Sequence, residues 1–143
     1  MDLSFGHIIL EKNGSKCTCG KKGCVEAYCS MKVLKDKIKE EKSMKDIDAK
    51  EVYNIMKNDF YSIRGIIDEY IENLSIAISN YIDIFEPEAI CIGGSFVYFQ
   101  DILLEKLIKR LHQGKMTFNG DIPKIVTAKY GNDAGILGAV LIE

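Results

Sequence analysis

The segment from Ile63 to Phe85 constrains the fold of this chain more than any other part of the sequence. Its apolar residues recur at intervals of three and four, which is the spacing that places side chains along one face of an α-helix. We therefore expect one long helix at the centre of the hydrophobic core. The residues of this stripe are Ile63, Ile66, Ile67, Tyr70, Ile71, Leu74, Ala77, Ile78, Tyr81, Ile82 and Phe85.

The residues that follow this helix predict a buried strand. Pro87 disfavours the helical conformation in the residue before it, so the helix should end in the Glu86–Glu88 segment. Ala89 to Ile92 is then wholly apolar and leads into Gly93 and Gly94. A short apolar run that ends in glycines is typical of a buried strand followed by a tight turn.

The other periodic segments complete an α/β order. Buried strands that are joined by helices are expected to be parallel. The predicted elements are a strand over Phe5–Leu10, helices over Val25–Glu41, Ala49–Lys57 and Leu103–Leu111, a strand over Lys124–Tyr130, and a final helix rich in small residues that Asp133 is able to cap.

Composition indicates one ordinary soluble domain. The chain has 143 residues, of which 47% are hydrophobic, and a formal net charge of -2. No apolar run approaches the ~20 residues of a membrane span, and no secretory leader opens the chain, so we expect a cytoplasmic protein without membrane contact. The near-neutral charge gives no footprint for direct nucleic-acid contact, and the lysines between positions 32 and 50 alternate with acidic residues, as on a solvated helical face.

One imidazole and three thiols lie within eighteen positions near the start of the chain. His7, Cys17, Cys19 and Cys24 form a ligand set that is sufficient for a tetrahedral zinc site. Calcium and magnesium prefer oxygen ligands. An iron-sulfur cluster is a possible alternative, but the absence of a fourth thiol at cluster spacing argues against it. We predict a structural zinc ion, because all four positions would be filled by protein.

The alternative is that these residues are unrelated reduced thiols, since a free cysteine often behaves as a small buried hydrophobe. Cys29, in a helical segment, and Cys91, in an apolar strand, fit that description and are not counted as ligands. The odd total of five cysteines makes a secreted disulfide framework the weaker explanation.

The spacing of this cluster resembles the signature of the ROK family of sugar kinases and transcriptional repressors. The resemblance rests on G-H, then C-T-C-G-K-K-G-C beginning ten positions after His7, then Glu26 two positions after Cys24. Three weaker segments agree in order: I-F-E-P-E, I-C-I-G-G-S and G-N-D-A-G-I-L-G-A. The resemblance implies an actin-like, ribonuclease H-like ATPase fold of the hexokinase type. Residues 1–143 would be an incomplete C-terminal domain, with a zinc loop over 7–26, an α/β core over 60–143 and no N-terminal domain.

The resemblance also implies roles in sugar binding. By family analogy, His7 binds zinc and also touches the sugar, and Glu26 accepts hydrogen bonds from sugar hydroxyls. A zinc-clamped loop would hold Glu26 in place for a polar ligand such as a hexose or an amino sugar. The alternative for Glu26 is a solvent-facing carboxylate that is stabilised by the dipole of its helix.

Nucleotide contacts are the second implication of the resemblance. Gly93 and Gly94 would let a nucleotide approach the backbone at the carboxyl end of a strand, as in other open α/β sheets. The segment around Gly131 and Asp133 would lie near the nucleotide at a helix N-terminus. The alternative for that segment is tight helix packing through its glycines.

Two departures from the family pattern affect the expected function. Ser4 stands where family kinases usually carry a sugar-binding glutamate. Nothing in the chain matches the phosphate loop or the segment that bears the catalytic aspartate, so we assign no catalytic residue and expect the isolated chain to be inactive. ATP and Mg²⁺ would be used only by the full-length protein. The incomplete domain should also expose a sheet edge and apolar surface, which favours a homo-oligomer or docking onto a missing half.

Three functions remain open from the sequence. The first is the zinc- and sugar-binding half of a ROK sugar kinase that transfers phosphate from ATP to a hexose such as glucose. The second is the sugar-sensing domain of a ROK transcriptional repressor, whose DNA-binding unit would lie elsewhere. The third is a stand-alone zinc-stabilised interaction module.

Overall fold

A computed structural model describes residues 5–128 and the backbone of residues 139–141. The three-residue 3-10 turn Phe5–His7 opens the described part, and further 3-10 segments span Phe60–Ile63 and Gly94–Phe99. The helices are α1 (Glu26–Cys29), α2 (Met31–Glu41), α3 (Ala49–Asn58), α4 (Arg64–Phe85) and α5 (Gln100–Leu111), and the strands are β1 (Ala89–Gly93), β2 (Lys124–Thr127) and β3 (Ala139–Leu141).

The long helix α4 confirms the prediction made from its apolar stripe. Ile67, Leu74 and Ile78 on that stripe are fully buried. The helix ends where the sequence predicts, because Glu86 adopts a left-handed conformation with φ of 44° directly before Pro87. Packing of α4 against both α1 and α5 makes it the central helix of the described core.

The sheet is parallel throughout, with strand order β2-β1-β3. In the central strand β1, Ile90 pairs with Ile125 of β2, and Cys91 pairs with Ala139 of β3. Ile90, Cys91 and Ile92 are buried, as their wholly apolar sequence predicts. The parallel pairing predicted for strands that are joined by helices is therefore confirmed for β1 and β2, which α5 connects.

An ion pair joins α4 to α5 at the edge of this core. Arg110 donates to the carboxylate of Glu72 through Nε at 2.5 Å and through its terminal nitrogen at 3.0 Å. Hydrogen bonding to Arg110 holds the pKa of Glu72 below its usual range. The two helices are thus held together by a bidentate pair as well as by apolar packing.

The predicted strand over Phe5–Leu10 is wrong. Phe5–His7 is a 3-10 turn, and only an isolated antiparallel bridge between Ile9 and Cys24 remains of the extended pairing. The Phe5 ring packs on Tyr81 at 4.7 Å between centroids, and the Tyr81 hydroxyl donates to the Phe5 carbonyl at 2.9 Å. The apolar residues of this segment thus serve loop packing onto α4 rather than a sheet.

The predicted helix over Val25–Glu41 is two helices. Ser30 lies between them in extended conformation, with ψ of 149°, and its hydroxyl accepts a hydrogen bond from the backbone N–H of Val33 at 3.2 Å. Serine favours this capping geometry over the helix interior, so it ends α1 and begins α2.

We expect Ser30→Ala to lower the free energy of unfolding by about 1 kcal/mol, because it removes the cap of α2. Ser30→Thr keeps an acceptor oxygen at the same position and should retain most of the stability. Urea titration followed by circular dichroism measures both variants, and equal losses for the two would contradict a capping role.

Three further differences concern the second half of the chain. The Gly94–Phe99 turn was not predicted, although its fully buried Phe96 and Phe99 have the i, i+3 spacing that a 3-10 turn places on one side. The predicted strand Lys124–Tyr130 ends at Thr127 as β2. Ala139, which was expected to be helical, begins β3 instead. The rest of the predicted final helix lies outside the described residues.

Candidate metal centre and the carboxylate beside it

The ligand-bearing loop is shaped by a short antiparallel turn. Lys16 and Lys22 form a bridge, the Cys17 N–H donates to the Lys21 carbonyl at 2.9 Å, and the Gly20 N–H donates back to the Cys17 carbonyl at 3.0 Å. Gly20 has φ of 96°, a conformation that glycine adopts without strain. This turn places Cys17 and Cys19 on the same side of the loop.

The backbone around Cys24 is held by the segment before the loop. The Val25 N–H donates to the Ile8 carbonyl at 2.8 Å, and the Leu10 N–H donates to the Gly23 carbonyl at 2.7 Å. Gly23 has φ of 85°, and a Cβ at this position would lie 1.7 Å from the Glu11 carbonyl oxygen. Both the backbone conformation and the space therefore require glycine beside this thiol.

The four predicted ligands lie together. One donor atom from each of His7, Cys17, Cys19 and Cys24 lies within 4.8 Å of all the others, and this is the one such group found among the described residues. The Cys17 Sγ is 3.4 Å from the His7 Nδ1, and the Cys19 Sγ is 3.6 Å from the Cys24 Sγ. A tetrahedral zinc ion with bonds of about 2.3 Å to sulfur and about 2.0 Å to nitrogen separates its ligands by roughly 3.5 to 3.8 Å. The spacing and the donor types fit zinc.

The thiols differ in their acidity. A hydrogen bond from the backbone at Lys21 lowers the pKa of the exposed Cys19 thiol. Burial, together with the neighbouring Cys19 and Cys17, raises the pKa of Cys24 to about 11. Three thiolates in so small a space need a cation to offset their repulsion, which is what a bound metal ion supplies.

The ring of His7 connects this cluster to Glu26. Its Nδ1 faces Cys17, while its Nε2 is 3.3 Å from Oε2 of Glu26. The Lys21 ammonium donates to the carbonyl oxygen of His7 and so holds the backbone of the same residue. A carboxylate on the second ring nitrogen is a common arrangement around metal-binding histidines, because it fixes the tautomer and the ring orientation.

Glu26 lies in the first turn of α1, and its side chain is 42% exposed. The structure thus brings together His7 and Glu26, the two residues that the sequence analysis expects to face a sugar. The carboxylate is open to solvent on one side and contacts the imidazole on the other. The carboxylate oxygens can therefore accept from a hydroxyl group, while the Nε2 N–H of His7 faces Glu26.

The remaining two cysteines lie in the core. Cys29 is 1% exposed, and burial raises its pKa to about 12. Cys91 is buried in β1. Neither belongs to the metal-ligand group, which agrees with their interpretation as small core residues.

The predicted nucleotide residues are described in part. Gly93 and Gly94 lie at the carboxyl end of β1, and Gly94 has φ of 69° and is exposed. Gly131 and Asp133, like Ser4, lie outside the described residues.

A cavity of about 290 Å³ adjoins this glycine turn. It is lined by Ser95, which follows Gly94, and by residues of α2 and the segment after it, including Lys35 and Ile47. The sequence does not predict this cavity, because the lysines of α2 alternate with acidic residues, as on a solvated face. The signal that could have found it is the mixture of Met31, Lys35 and Lys39 along one side of α2.

Among the described residues, no helix is long and apolar enough to cross a membrane.

Comparison with known proteins identifies the family. The model of the ROK family matches residues 2–143. The chain is 29% identical to a glucokinase from Thermotoga maritima over 96% of this chain and 48% of that protein. It is 23% identical to a xylose repressor from Bacillus subtilis over 94% of this chain and 34% of that protein. The chain thus spans about half, or less, of the length of these relatives.

The fold agrees with that of solved ROK proteins. A ROK glucokinase from Streptomyces griseus, solved in complex with glucose and AMPPNP, superimposes with a TM-score of 0.72 over 94% of this chain and 49% of that chain, at 20% sequence identity. At this identity the likeness shows a shared fold. With the family model matching nearly every residue, the chain belongs to the ROK family, as its cysteine and histidine spacing indicates.

Proposed function

We propose that this chain is the zinc- and sugar-binding, C-terminal half of a ROK sugar kinase. The observation that carries the proposal is the contact between His7 and Glu26 at 3.3 Å, with the other ring nitrogen of His7 facing the three thiols. The complete protein would transfer the γ-phosphate of ATP to a hexose hydroxyl with the help of Mg²⁺.

Zinc in this proposal has a structural role. His7, Cys17, Cys19 and Cys24 would fill its four positions and leave none for an activated water. Bound zinc supplies cross-linking to a loop that has little apolar core of its own. The loop residues then hold the His7 ring against Glu26.

A hexose or amino sugar is the proposed ligand of this face. Glu26 would accept hydrogen bonds from sugar hydroxyls, and the Nε2 N–H of His7, which faces Glu26, would be shared between that carboxylate and a sugar oxygen. The ROK glucokinase from Streptomyces griseus was solved with glucose, and a ROK family protein from Streptococcus pneumoniae was solved with sucrose. These two complexes support a sugar as the ligand class.

The nucleotide would bind at a second site, at the carboxyl end of β1 beside Gly93 and Gly94. Its support is the exposed left-handed turn at Gly94 and the adjoining cavity, which is lined by Ser95 and by three lysines and two aspartates of α2 and the segment after it. Gly131 and Asp133 are proposed as further contacts on the grounds of family resemblance. Because the chain carries no match to the family's catalytic aspartate segment, the isolated chain should transfer no phosphate.

The sugar-sensing domain of a ROK repressor is the second candidate. Xylose repressors are among the relatives, at 23% and 26% identity over 94% of this chain. A ROK transcriptional regulator also shares the fold, with a TM-score of 0.60. In this role, the same His7 and Glu26 pair would bind an inducing sugar, and a second copy of the chain would be the expected partner.

Metal analysis and sugar titration test the proposal together. We expect one zinc per chain and weak, on the order of millimolar, binding of glucose, N-acetylglucosamine or mannose that disappears when a chelator removes the metal. Glu26→Gln should weaken sugar binding about tenfold or more, because a charged acceptor is lost. Nuclear magnetic resonance titration detects affinities in this range.

The matched control is Glu105→Gln, which changes an exposed glutamate on α5 far along the chain from the site. It should leave both zinc content and sugar binding unchanged. A clear preference for xylose over the hexoses would favour the repressor over the kinase. A metal-free protein with intact sugar binding would overturn the proposal.

A further inference from the structure

Gly14 in the ligand-bearing loop has a requirement that differs from those of Gly20 and Gly23. Gly14 does not have a left-handed backbone, so residues with a Cβ could adopt its conformation. A Cβ at Gly14, however, would lie 2.1 Å from the hydroxyl oxygen of Tyr28 and 3.0 Å from the Cβ of Glu11. Glycine is needed here for space, because the Tyr28 hydroxyl lies directly against the loop.

The hydroxyl of Tyr28 fills that space and forms a hydrogen bond with Ser15, the residue after Gly14. It accepts a hydrogen bond from the backbone N–H of Ser15 at 2.8 Å. The carbonyl of Ser15 in turn accepts from the N–H of Gly23 at 2.7 Å. Ser15 precedes Cys17 by two residues, and Gly23 directly precedes Cys24, so this chain of hydrogen bonds relates two thiols of the site.

The other end of Tyr28 is fixed in the core. Tyr28 lies in α1 next to Cys29, which is 1% exposed, and α1 packs against the central helix α4. Its ring is among the partly buried side chains that pack against the core. The hydroxyl therefore has a position that is determined by the core rather than by the loop.

We propose that Tyr28 is a positioning residue for the metal centre: its hydroxyl holds the Ser15 peptide and thereby sets the separation of Cys17 and Cys24 before a metal ion binds. This inference rests on the proposed zinc site. It goes beyond that site because Tyr28 is not a metal ligand, and its hydroxyl bonds to the Ser15 backbone and not to a ligand side chain. The hydrogen bond orders part of the loop before the ion binds. Less conformational entropy is then lost on binding, and the affinity for the ion is higher.

Tyr28→Phe tests this role, because it keeps the ring in the core and removes only the hydroxyl. We expect the zinc affinity, measured by competition with a chromophoric chelator, to fall about 2- to 10-fold, the effect of one neutral hydrogen bond. The absorption bands of bound Co²⁺, which report ligand geometry, should shift or broaden. Tyr61→Phe is the matched control, since Tyr61 is 86% exposed, and it should change neither readout.

A double-mutant cycle with Gly14→Ala gives the sharper test. In the parent protein, Gly14→Ala forces a methyl group against the Tyr28 hydroxyl and should weaken zinc binding more than tenfold, as neighbouring packing changes do when they displace a loop. In the Tyr28→Phe background, the same change should cost several-fold less, because the clashing oxygen is gone.

The outcomes separate the two proposals. If the parent protein binds zinc while Tyr28→Phe matches it in affinity and in its Co²⁺ spectrum, the positioning role is overturned and the zinc site stands. Additive costs in the double-mutant cycle would also overturn it. If the parent protein binds no zinc, the proposed function falls and this inference falls with it.

Discussion

Cys24→Ser should remove zinc from the protein almost completely. Cys24 is fully buried in the ligand group, and serine is a poor zinc ligand with an oxygen that is closer to its Cβ than sulfur is. We expect the zinc affinity to fall on the order of 100-fold or more, so that after dialysis against a competing chelator the variant contains well under one zinc per chain while the parent protein stays loaded. Elemental analysis after dialysis measures this directly.

Cys29→Ser is the matched control for that experiment. It makes the same chemical change at a second buried cysteine, one that lies in the core and outside the ligand group. It should lower the melting temperature, since a hydroxyl without a partner is placed in an apolar environment, yet keep one zinc per chain. Equal zinc contents in the two variants would contradict the assignment of Cys24 as a ligand.

Gly23→Ala is expected to be the most damaging change to the backbone of the loop. A Cβ at this position would lie 1.7 Å from the Glu11 carbonyl oxygen, and φ of 85° is strained for any residue with a Cβ. The loop must move, which breaks the hydrogen bonds of Gly23 with Ser15 and Leu10. We expect a loss of about 3 kcal/mol or more in loop stability and a parallel loss of zinc affinity.

Gly20→Ala separates the two causes of that loss. Gly20 also has a left-handed backbone, with φ of 96°, but nothing lies within 4 Å of its Cβ position. It should cost only the conformational strain, about 1 to 2 kcal/mol. Chelator competition and thermal denaturation compare the two variants, and equal effects would show that the contact with Glu11 is unimportant.

The core of the fold was predictable because one long helix dominates it. The stripe on α4 needs many apolar side chains at helical spacing, and Pro87 fixes its end, so local chemistry and tertiary packing agree. The same holds for β1, whose wholly apolar sequence is compatible only with burial on both faces. The ligand group was predictable for a different reason, since four donors of the right type lie close together in sequence.

The errors occur where side chains serve another purpose. The apolar residues from Phe5 onward suggested a strand, but Phe5 packs its ring between Tyr81 and Phe85, a contact of more than seventy positions in sequence that no local pattern shows. Ser30 lies within a helical periodicity, and the break appears only in its extended backbone and its capping bond. The role of Tyr28 could not be predicted either, because a tyrosine in an amphipathic segment normally indicates core packing alone.

The loop that carries the metal ligands and the core around α4 are kept ordered by different interactions. A bound metal ion would order the loop, whereas burial of apolar side chains orders the core. The cysteine-rich loop is attached to α4 through the packing of α1 and of the Phe5 ring, whereas the Gly94 turn continues directly from the central strand. Removal of the ion with a chelator should therefore speed up amide hydrogen exchange in the loop over residues 7–24, while the amides of α4 and β1 stay protected. The glycine turn at the end of β1 should keep its shape under conditions that separate the His7 ring from Glu26.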